Sequence, residues 1–394
     1  MNTAATEVWF APGRANLMGE HTDYNEGFVL PFALAQGVTA TASGRDDELL
    51  VLRSKQAPDD PVTVRLDSLA PGSVTGWAAY PAGVAWALRA AGHVVRGASL
   101  DVDSDLPAGA GVSSSAALEC SVALALCSLS EASVPRRALA AIARRAENEF
   151  VGAPTGIIDQ SAALLCEEGH ALLLDCGTLA TTQVPFRPAA AGVSALVIDT
   201  RVTHWLISGE YAARRAECEA AARLLGVPAL GAVTDLGVLD RLTDPLLRRR
   251  ARHVITDSAR ARAIAAALQA NVATDAAVTA TETATATASP APASTEAEIY
   301  LFIGKLLVEG HASLRDDFEV SWPEADVTVE TAVAAGAYGA KMIGGGFGGS
   351  VLALVPAGNA SAVRTAVTET FTARGWAPPE FLDAVPSPPA RRLS

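Results

Sequence analysis

No two cysteines in this 394-residue chain are spaced as CxxC. The five present (Cys120, Cys127, Cys166, Cys176 and Cys218) are an odd number, scattered through the sequence. Free thiols in a reducing cytoplasm fit that pattern. No apolar run reaches the ~18 residues that suggest a membrane span. The N-terminus lacks a basic stretch followed by an apolar one, so no secretory signal is expected. Positive charge is also short: the net charge is −13, and the basic cluster Arg248-Arg249-Arg250 is brief and sits in a predicted helix. That balance argues against sequence-independent nucleic-acid binding.

What the chain has is apolar residue. Half of it is hydrophobic, and 394 residues can bury a large core. A globular protein of two domains is expected.

One stretch stands out: Leu106-Pro-Ala-Gly-Ala-Gly-Val-Ser-Ser-Ser-Ala-Ala-Leu118. Before it, Ala98, Leu100 and Val102 alternate with Ser99, Asp101 and Asp103, which predicts a half-buried strand. After it, Ala116 to Leu129 has no Gly or Pro and predicts a buried helix. A Gly/Ser loop therefore leads into a helix N-terminus, where backbone N–H groups and the helix dipole suit a phosphate. The plainer reading is a turn with a capping serine. Two familiar nucleotide motifs do not fit. No lysine follows the glycines as in the P-loop, and Ser114 stands where the dinucleotide fingerprint needs its third glycine.

Around this stretch the pattern predicts strands at Val8–Ala11, Phe28–Ala33, Val38–Ser43, Glu48–Arg53 and Val62–Leu66. A helix over Tyr80–Ala91 follows, and another runs from a Ser133 cap to Phe150. Pro12-Gly-Arg-Ala-Asn-Leu-Met-Gly-Glu-His-Thr-Asp-Tyr-Asn25 reads as a polar loop between apolar strands. It is either an ordinary solvated connection or, through Glu20, His21 and Asp23, a reader of hydroxyl groups. Asp159 lies in the opening turn of an apolar helix. It is either a helix-dipole carboxylate or a half-buried acid that needs a cation or a task. Gly344-Gly-Gly-Phe-Gly-Gly349 satisfies GxGxxG, but a strand pattern follows where a helix is required. Its glycines must let backbone approach either a ligand or the phosphate loop. From Val202 the chain reads as mainly helical, and Thr274 to Ser294 is a Thr/Ala-rich, low-complexity insertion expected to be disordered.

Taken in order, three motifs resemble the GHMP small-molecule kinases and, within them, the galactokinase family. They are the stretches from Pro12 to Asn25, from Leu106 to Ala117, and from Lys341 to Gly349. The resemblance extends to Gly156-Ile-Ile-Asp-Gln160, to Ser208-Gly-Glu-Tyr-Ala-Ala-Arg-Arg-Ala-Glu-Cys218 and to His311-Ala-Ser-Leu-Arg-Asp-Asp-Phe-Glu319. It implies an α+β, two-domain GHMP kinase fold. The expected N-terminal ribosomal-protein-like domain covers 1–190, and the C-terminal ferredoxin-like domain covers 191–394. It implies transfer of the γ-phosphoryl group of ATP to the anomeric hydroxyl of galactose.

By the same resemblance Asp159 is the catalytic acid residue and Arg14 its cationic partner. Glu20, His21, Asp23, Gly156, Asp159 and Tyr211 hold the sugar. Gly109, Ala110, Gly111, Val112, Ser113, Ser114 and Ser115 cradle the triphosphate, with Ser54 touching the nucleotide. Ser115 and Glu147 hold Mg²⁺. Related readings are a sugar 1-kinase acting on N-acetylgalactosamine, arabinose or galacturonate, and a silent sensor that binds galactose and ATP. A cytoplasmic monomer, with neither nucleic acid nor membrane as partner, is expected. The chain departs from the family pattern at Thr155 (usually Cys), at Ile343 (usually Thr) and at Trp205. Only Met1 to Glu7 precede the first strand, where members usually carry a further helical segment.

Overall fold

The computed structural model describes residues 6–107, 109–203, 209–281 and 296–394. Its N-terminal half is built on a six-stranded mixed sheet. In chain order the strands of this region are β1 (Glu7–Asn16), β2 (Phe28–Val29), β3 (Pro31–Gly44), β4 (Leu49–Ser54), β5 (Ala57–Arg65) and β6 (Ala98–Ser104), of which β2 belongs to a different sheet. The sheet runs β1-β3-β6-β4-β5, with β4 and β6 parallel, and the chain's last strand is added outside β1.

Two sequence expectations change here. Phe28–Ala33 and Val38–Ser43 are expected as separate strands, but Phe28–Val29 alone forms β2, and β3 runs from Pro31 through the rest of the first and all of the second. Gly37 breaks the apolar pattern without breaking the strand: it pairs with Pro12, and the irregularity next to it is a bulge of β3, where Leu34 to Gln36 stand opposite Gly13 of β1. A Cβ on Gly37 would lie 2.1 Å from the Ala11 carbonyl, so only glycine fits that approach. The first motif, expected as a loop from Pro12, is strand as far as Asn16 because Arg14 to Asn16 pair with β3.

Helices α1 (Ala79–Ala90), α2 (Ser114–Leu129), α3 (Arg136–Arg145) and α4 (Ile158–Leu165) complete this half. Helix α2 packs on β1 and β3 and buries almost its whole length. Helix α3 starts at Arg136, after Pro135 in extended conformation, and is not capped by Ser133. It does not run unbroken to Phe150 either. Its end widens into a π-helical turn, Ala146–Val151, stopped by Gly152 at φ 82°.

A three-stranded sheet joins β2 to β7 (His170–Asp175) and β8 (Thr181–Pro185). The other half is a four-stranded antiparallel sheet of β9 (Val193–Asp199), β10 (Gly339–Ile343), β11 (Ser350–Pro356) and β12 (Glu380–Asp383), in the order β10-β11-β9-β12. Helices α5 (Glu210–Leu225), α6 (Pro245–Thr281), α7 (Glu296–Ser313), α8 (Pro323–Ala334) and α9 (Ala360–Ala373) accompany it. Helix α6 continues to Thr281, so the first residues of the Thr/Ala-rich insertion are helical. The rest of that insertion, Trp205 and Ser208 lie outside the described residues.

The chain end crosses back. Ser387 donates to the Ala33 carbonyl, Ala390 to that of Ala163, and β13 (Arg391–Arg392) pairs with Trp9 and Phe10. Among the described residues no helix is long and apolar enough to cross a membrane.

Candidate active site

The loop after β6 turns on three left-handed residues: Gly109 (φ 75°), Gly111 (φ 70°) and Ser113 (φ 62°). A serine rarely adopts that conformation, so Ser113 is held by its surroundings. Its hydroxyl is buried and finds no protein partner, while Ser114, the first residue of α2, is exposed. The capping reading fails, since Ser113 makes no side-chain cap. An orphaned hydroxyl at a helix N-terminus matches an anion cradle.

The glycine run 344–349 packs against this loop. A Cβ on Gly344 would lie 3.2 Å from the Gly111 carbonyl, and the Ser350 hydroxyl donates to Ala110 O at 2.7 Å. Of the two reasons expected for those glycines, close approach to the phosphate loop is the one observed.

Beside the loop lies the turn from Gly19 to Asn25. Glu20 Oε1 accepts from Lys341 Nζ at 3.0 Å and from the Gly344 backbone N–H at 3.2 Å. Both charged side chains are almost wholly buried. His21 sits at φ 61°. Its Nε2 lies 3.2 Å from the Gly345 carbonyl, which can only accept, so Nδ1 is left to accept from the Tyr24 hydroxyl at 2.9 Å. Burial, reinforced by His253, pushes the imidazole down to about 3, so it is neutral at pH 7. Tyr24 and Tyr211 pack edge to face at 5.5 Å, and Tyr211 also stacks on His21 at 5.4 Å. Burial raises both phenols well above their ordinary value. Asp23 lies against Gly156 so closely that a Cβ there would be 1.6 Å from its Oδ2. Burial, and next the charge of Asp159, push the Asp23 carboxyl up to about 6.

Between loop and turn stands Arg14. Its Nε donates to Asp159 Oδ1 at 2.9 Å, and its Nη1 to the Gly111 carbonyl at 2.5 Å. The half-buried acid expected at Asp159 thus has its cation. On the other side Ser115 Oγ donates to Glu147 Oε1 at 2.9 Å. Glu147 Oε2 accepts from Thr155 Oγ1 and from Gln160 Nε2, each at 2.8 Å. Burial and then Asp159 raise the Glu147 carboxyl. Gln160 also donates to the buried Glu119, whose carboxyl is raised well above its ordinary value by burial and then by Glu147. Hydroxyl and carboxylate oxygens are the hard donors that magnesium prefers, and two protein ligands plus phosphates suit it.

The structure therefore brings together Arg14, Glu20, His21, Asp23, Gly109 to Ser115, Glu147, Gly156, Asp159 and Tyr211. Ser54 ends β4, paired with Val102 of β6, the strand that leads into the loop; its hydroxyl lies on Gln56, beside a groove of about 400 Å³ lined by Thr39, Thr41, Arg53, Lys55, Asp101 and Asp103, among others. Thr155, one of the departures from the family pattern, supports Glu147. Ile343, another, is wholly buried. Sequence reasoning assigned no role to Lys341, Tyr24, Thr155 or Gln160. The signal available for Lys341 was a single charge inside an apolar strand.

Comparison with known proteins agrees with this geometry. Residues 2–44 match the galactokinase galactose-binding signature, 79–167 the GHMP kinases N terminal domain and 300–373 the GHMP kinases C terminal. The chain is 50% identical to a galactokinase of Streptomyces coelicolor over 390 residues, which is 98% of this chain and 94% of that one. It is 43% identical to a galactokinase of Mycobacterium tuberculosis, covering 95% and 96% of the two chains. Among solved structures, Lactococcus lactis galactokinase complexed with galactose superposes with a TM-score of 0.87 at 32% identity, covering 98% of this chain and 95% of that one. Methanococcus jannaschii mevalonate kinase, 14% identical with a TM-score of 0.60 over 100% and 99% of the chains, shares the fold. The chain belongs to the galactokinase family of GHMP kinases.

Proposed function

We propose that this chain transfers the γ-phosphoryl group of ATP to the anomeric hydroxyl of galactose, with Asp159 and Arg14 at the reacting hydroxyl. The observation that carries the assignment of residues is the forked contact of Arg14, one arm on the Asp159 carboxylate and one on the Gly111 carbonyl. It ties the group that meets the sugar to the loop that meets the phosphates. Phosphoryl transfer needs little covalent help from protein, and alignment with charge neutralisation supplies most of the rate.

Glu20, His21, Asp23, Gly156 and Tyr211 bind the sugar. Neutral His21, carboxylates and phenols make a site of hydrogen-bonding groups, and the Tyr24–His21–Tyr211 rings give it rigid walls. Asp159 accepts a hydrogen bond from the anomeric hydroxyl and orients or deprotonates it. Arg14 holds that carboxylate in place. The 109–115 loop cradles the triphosphate, with the unpartnered Ser113 hydroxyl and the first N–H groups of α2 as donors. Ser115 and Glu147 would hold Mg²⁺, which neutralises phosphate charge when bound. A cytoplasmic monomer is part of the same reading. The five cysteines, all free and buried, support the reducing compartment.

The test is purified protein with ATP against a panel of sugars. Galactose should be phosphorylated and glucose hardly at all, because a site built to hydrogen-bond one hydroxyl leaves buried groups unpaired with its epimer. Comparable turnover of glucose, or preference for galacturonate, arabinose or N-acetylgalactosamine, overturns the galactose assignment.

A further inference from the structure

Helix α6 reaches the sugar-binding turn from behind with two buried side chains one turn apart. His253 and Asp257 are both fully buried. Asp257 Oδ2 accepts from the backbone N–H of Gly19 at 3.0 Å and of Glu20 at 3.1 Å. His253 Nε2 lies 3.0 Å from the Glu20 carbonyl. A carbonyl only accepts, so Nε2 carries the proton and Nδ1 accepts from Ser313 Oγ at 3.0 Å. Both backbone groups of Glu20 are thus gripped by residues spaced i, i+4 on one helix face. The Asp257 carboxylate is itself held, through Oδ1, by Arg260 at 3.1 Å. The imidazole stacks on Phe318 with ring centres 4.5 Å apart, and Phe318 stacks in turn on His21 at 4.7 Å.

This grip is placed where the backbone is under strain. Glu20 leads into His21, a non-glycine residue in the left-handed region. Such a conformation persists only where neighbours over-determine it. The Glu20 side chain is fixed separately, by Lys341 and the Gly344 N–H. A carboxylate fixed at its tip and an imidazole held off its preferred backbone keep one geometry only if the peptide between them is fixed too.

We infer that His253 and Asp257 are positioning residues. They set the orientation of the Glu20–His21 turn and thereby the affinity for galactose, without touching the sugar. The inference rests on the reading of Glu20 and His21 as sugar ligands. It assigns a task to two ionisable groups which lie in an otherwise amphipathic helix, more than two hundred residues along the chain from the turn they serve.

The experiment measures KM for galactose and for ATP, with kcat and a thermal melt, in His253→Leu, His253→Gln, Asp257→Asn and Glu20→Gln. His253→Leu removes the donor to the Glu20 carbonyl, whereas a glutamine amide can replace it. In His253→Leu the KM for galactose should rise about tenfold or more while that for ATP stays within about twofold, as expected for a lost buried hydrogen bond that acts on one substrate alone. His253→Gln should recover most of the loss, and Asp257→Asn should raise the galactose KM in the same selective way. A merely structural role predicts a lower melting temperature, with both KM values moving together and no advantage of glutamine over leucine. That result, or an unchanged galactose KM in folded His253→Leu and Asp257→Asn, overturns the inference. Glu20→Gln separates the two levels. If it raises galactose KM while the α6 variants do not, the positioning role alone fails. If it leaves galactose KM unchanged, the sugar-binding reading of the turn fails, and the positioning role fails with it.

Discussion

Replacing Asp159 by asparagine removes one charge and almost no volume. The consequences can be worked from its neighbours. Asp159 is paired with Arg14 at 2.9 Å, and the two side chains are 18% and 7% exposed, so solvent screens the pair weakly. Asparagine still offers an oxygen to Arg14 Nε, and Arg14 keeps its contact with the Gly111 carbonyl. What is lost is the difference between a charge-assisted and a neutral hydrogen bond, about 1 kcal/mol of stability. An opposing gain accompanies it. The charge of Asp159 raises the carboxyls of Asp23, Glu147 and Glu119, so its removal relieves like-charge repulsion. The melting temperature should therefore change little. Turnover should not escape: asparagine cannot accept the hydroxyl proton or stabilise charge on the sugar oxygen. A fall in kcat of about 10²–10⁴-fold or more is expected, with galactose KM changing far less. Steady-state kinetics and a melt on one preparation decide it. A helix-dipole carboxylate predicts the reverse, about 1 kcal/mol of stability and normal turnover. A folded Asp159→Asn enzyme with near-normal kcat refutes the catalytic role.

Four further expectations follow from the same contacts. With the Asp23 carboxyl raised to about 6, kcat/KM for galactose should fall as pH drops from 7 to 5 and the carboxylate is protonated, and Asp23→Asn should flatten that limb; a wild-type profile without an inflection there contradicts it. The folded protein holds this proton to higher pH than the unfolded chain, so ionising Asp23 also costs stability as pH rises from its ordinary value of 3.8 through about 6, which denaturant midpoints across that range can check. In Gly156→Ala a Cβ would lie 1.6 Å from Asp23 Oδ2, so galactose binding should be lost while ATP binding, followed by nucleotide fluorescence, persists. In Glu147→Gln the Mg²⁺ concentration for half-maximal activity should rise about tenfold or more, and an unchanged requirement would remove Glu147 from the metal site.

The parts of the site that were legible in the sequence are those with local signals. The Gly/Ser loop between a strand and a helix is one. An acid in an apolar helix is another: it demanded a cation, and Arg14, 145 residues away, provides it. The glycines of 344–349 announced a close approach to either a ligand or the 109–115 loop, and the loop is what they meet. Illegible were the contacts whose cause is tertiary. The gap between Phe28–Ala33 and Val38–Ser43 is bridged by one bulged strand whose pairing with β1 no local signal shows. Lys341 could not be paired with Glu20 without knowing that β10 runs beside the turn. His253 and Asp257 read as ordinary polar residues of a long helix. Thr155 looked like a departure from a family pattern, and only its contact with Glu147 gives it a task.

On the proposed assignment of the turn to the sugar and of the 109–115 loop to the phosphates, the glycines join the two into one unit. Glu20 on the sugar side is bonded to the Gly344 N–H, Gly344 lies against the Gly111 carbonyl, and that carbonyl holds Arg14, which holds Asp159. Each step is a backbone contact or a short side-chain bond. A Cβ on Gly344 would lie 3.2 Å from the Gly111 carbonyl, so a side chain there would press on the loop. Phosphoryl transfer asks for an attacking oxygen, a phosphorus and a leaving oxygen in line, and misplacement by about 1 Å costs on the order of a hundredfold in rate. A P-loop lysine would bring charge to the phosphates on a flexible four-carbon stem. Here the cation nearest the loop is an arginine whose planar fork is fixed at both ends, so the positive charge that steadies Asp159 is set by the same bonds that set the distance between the two substrates.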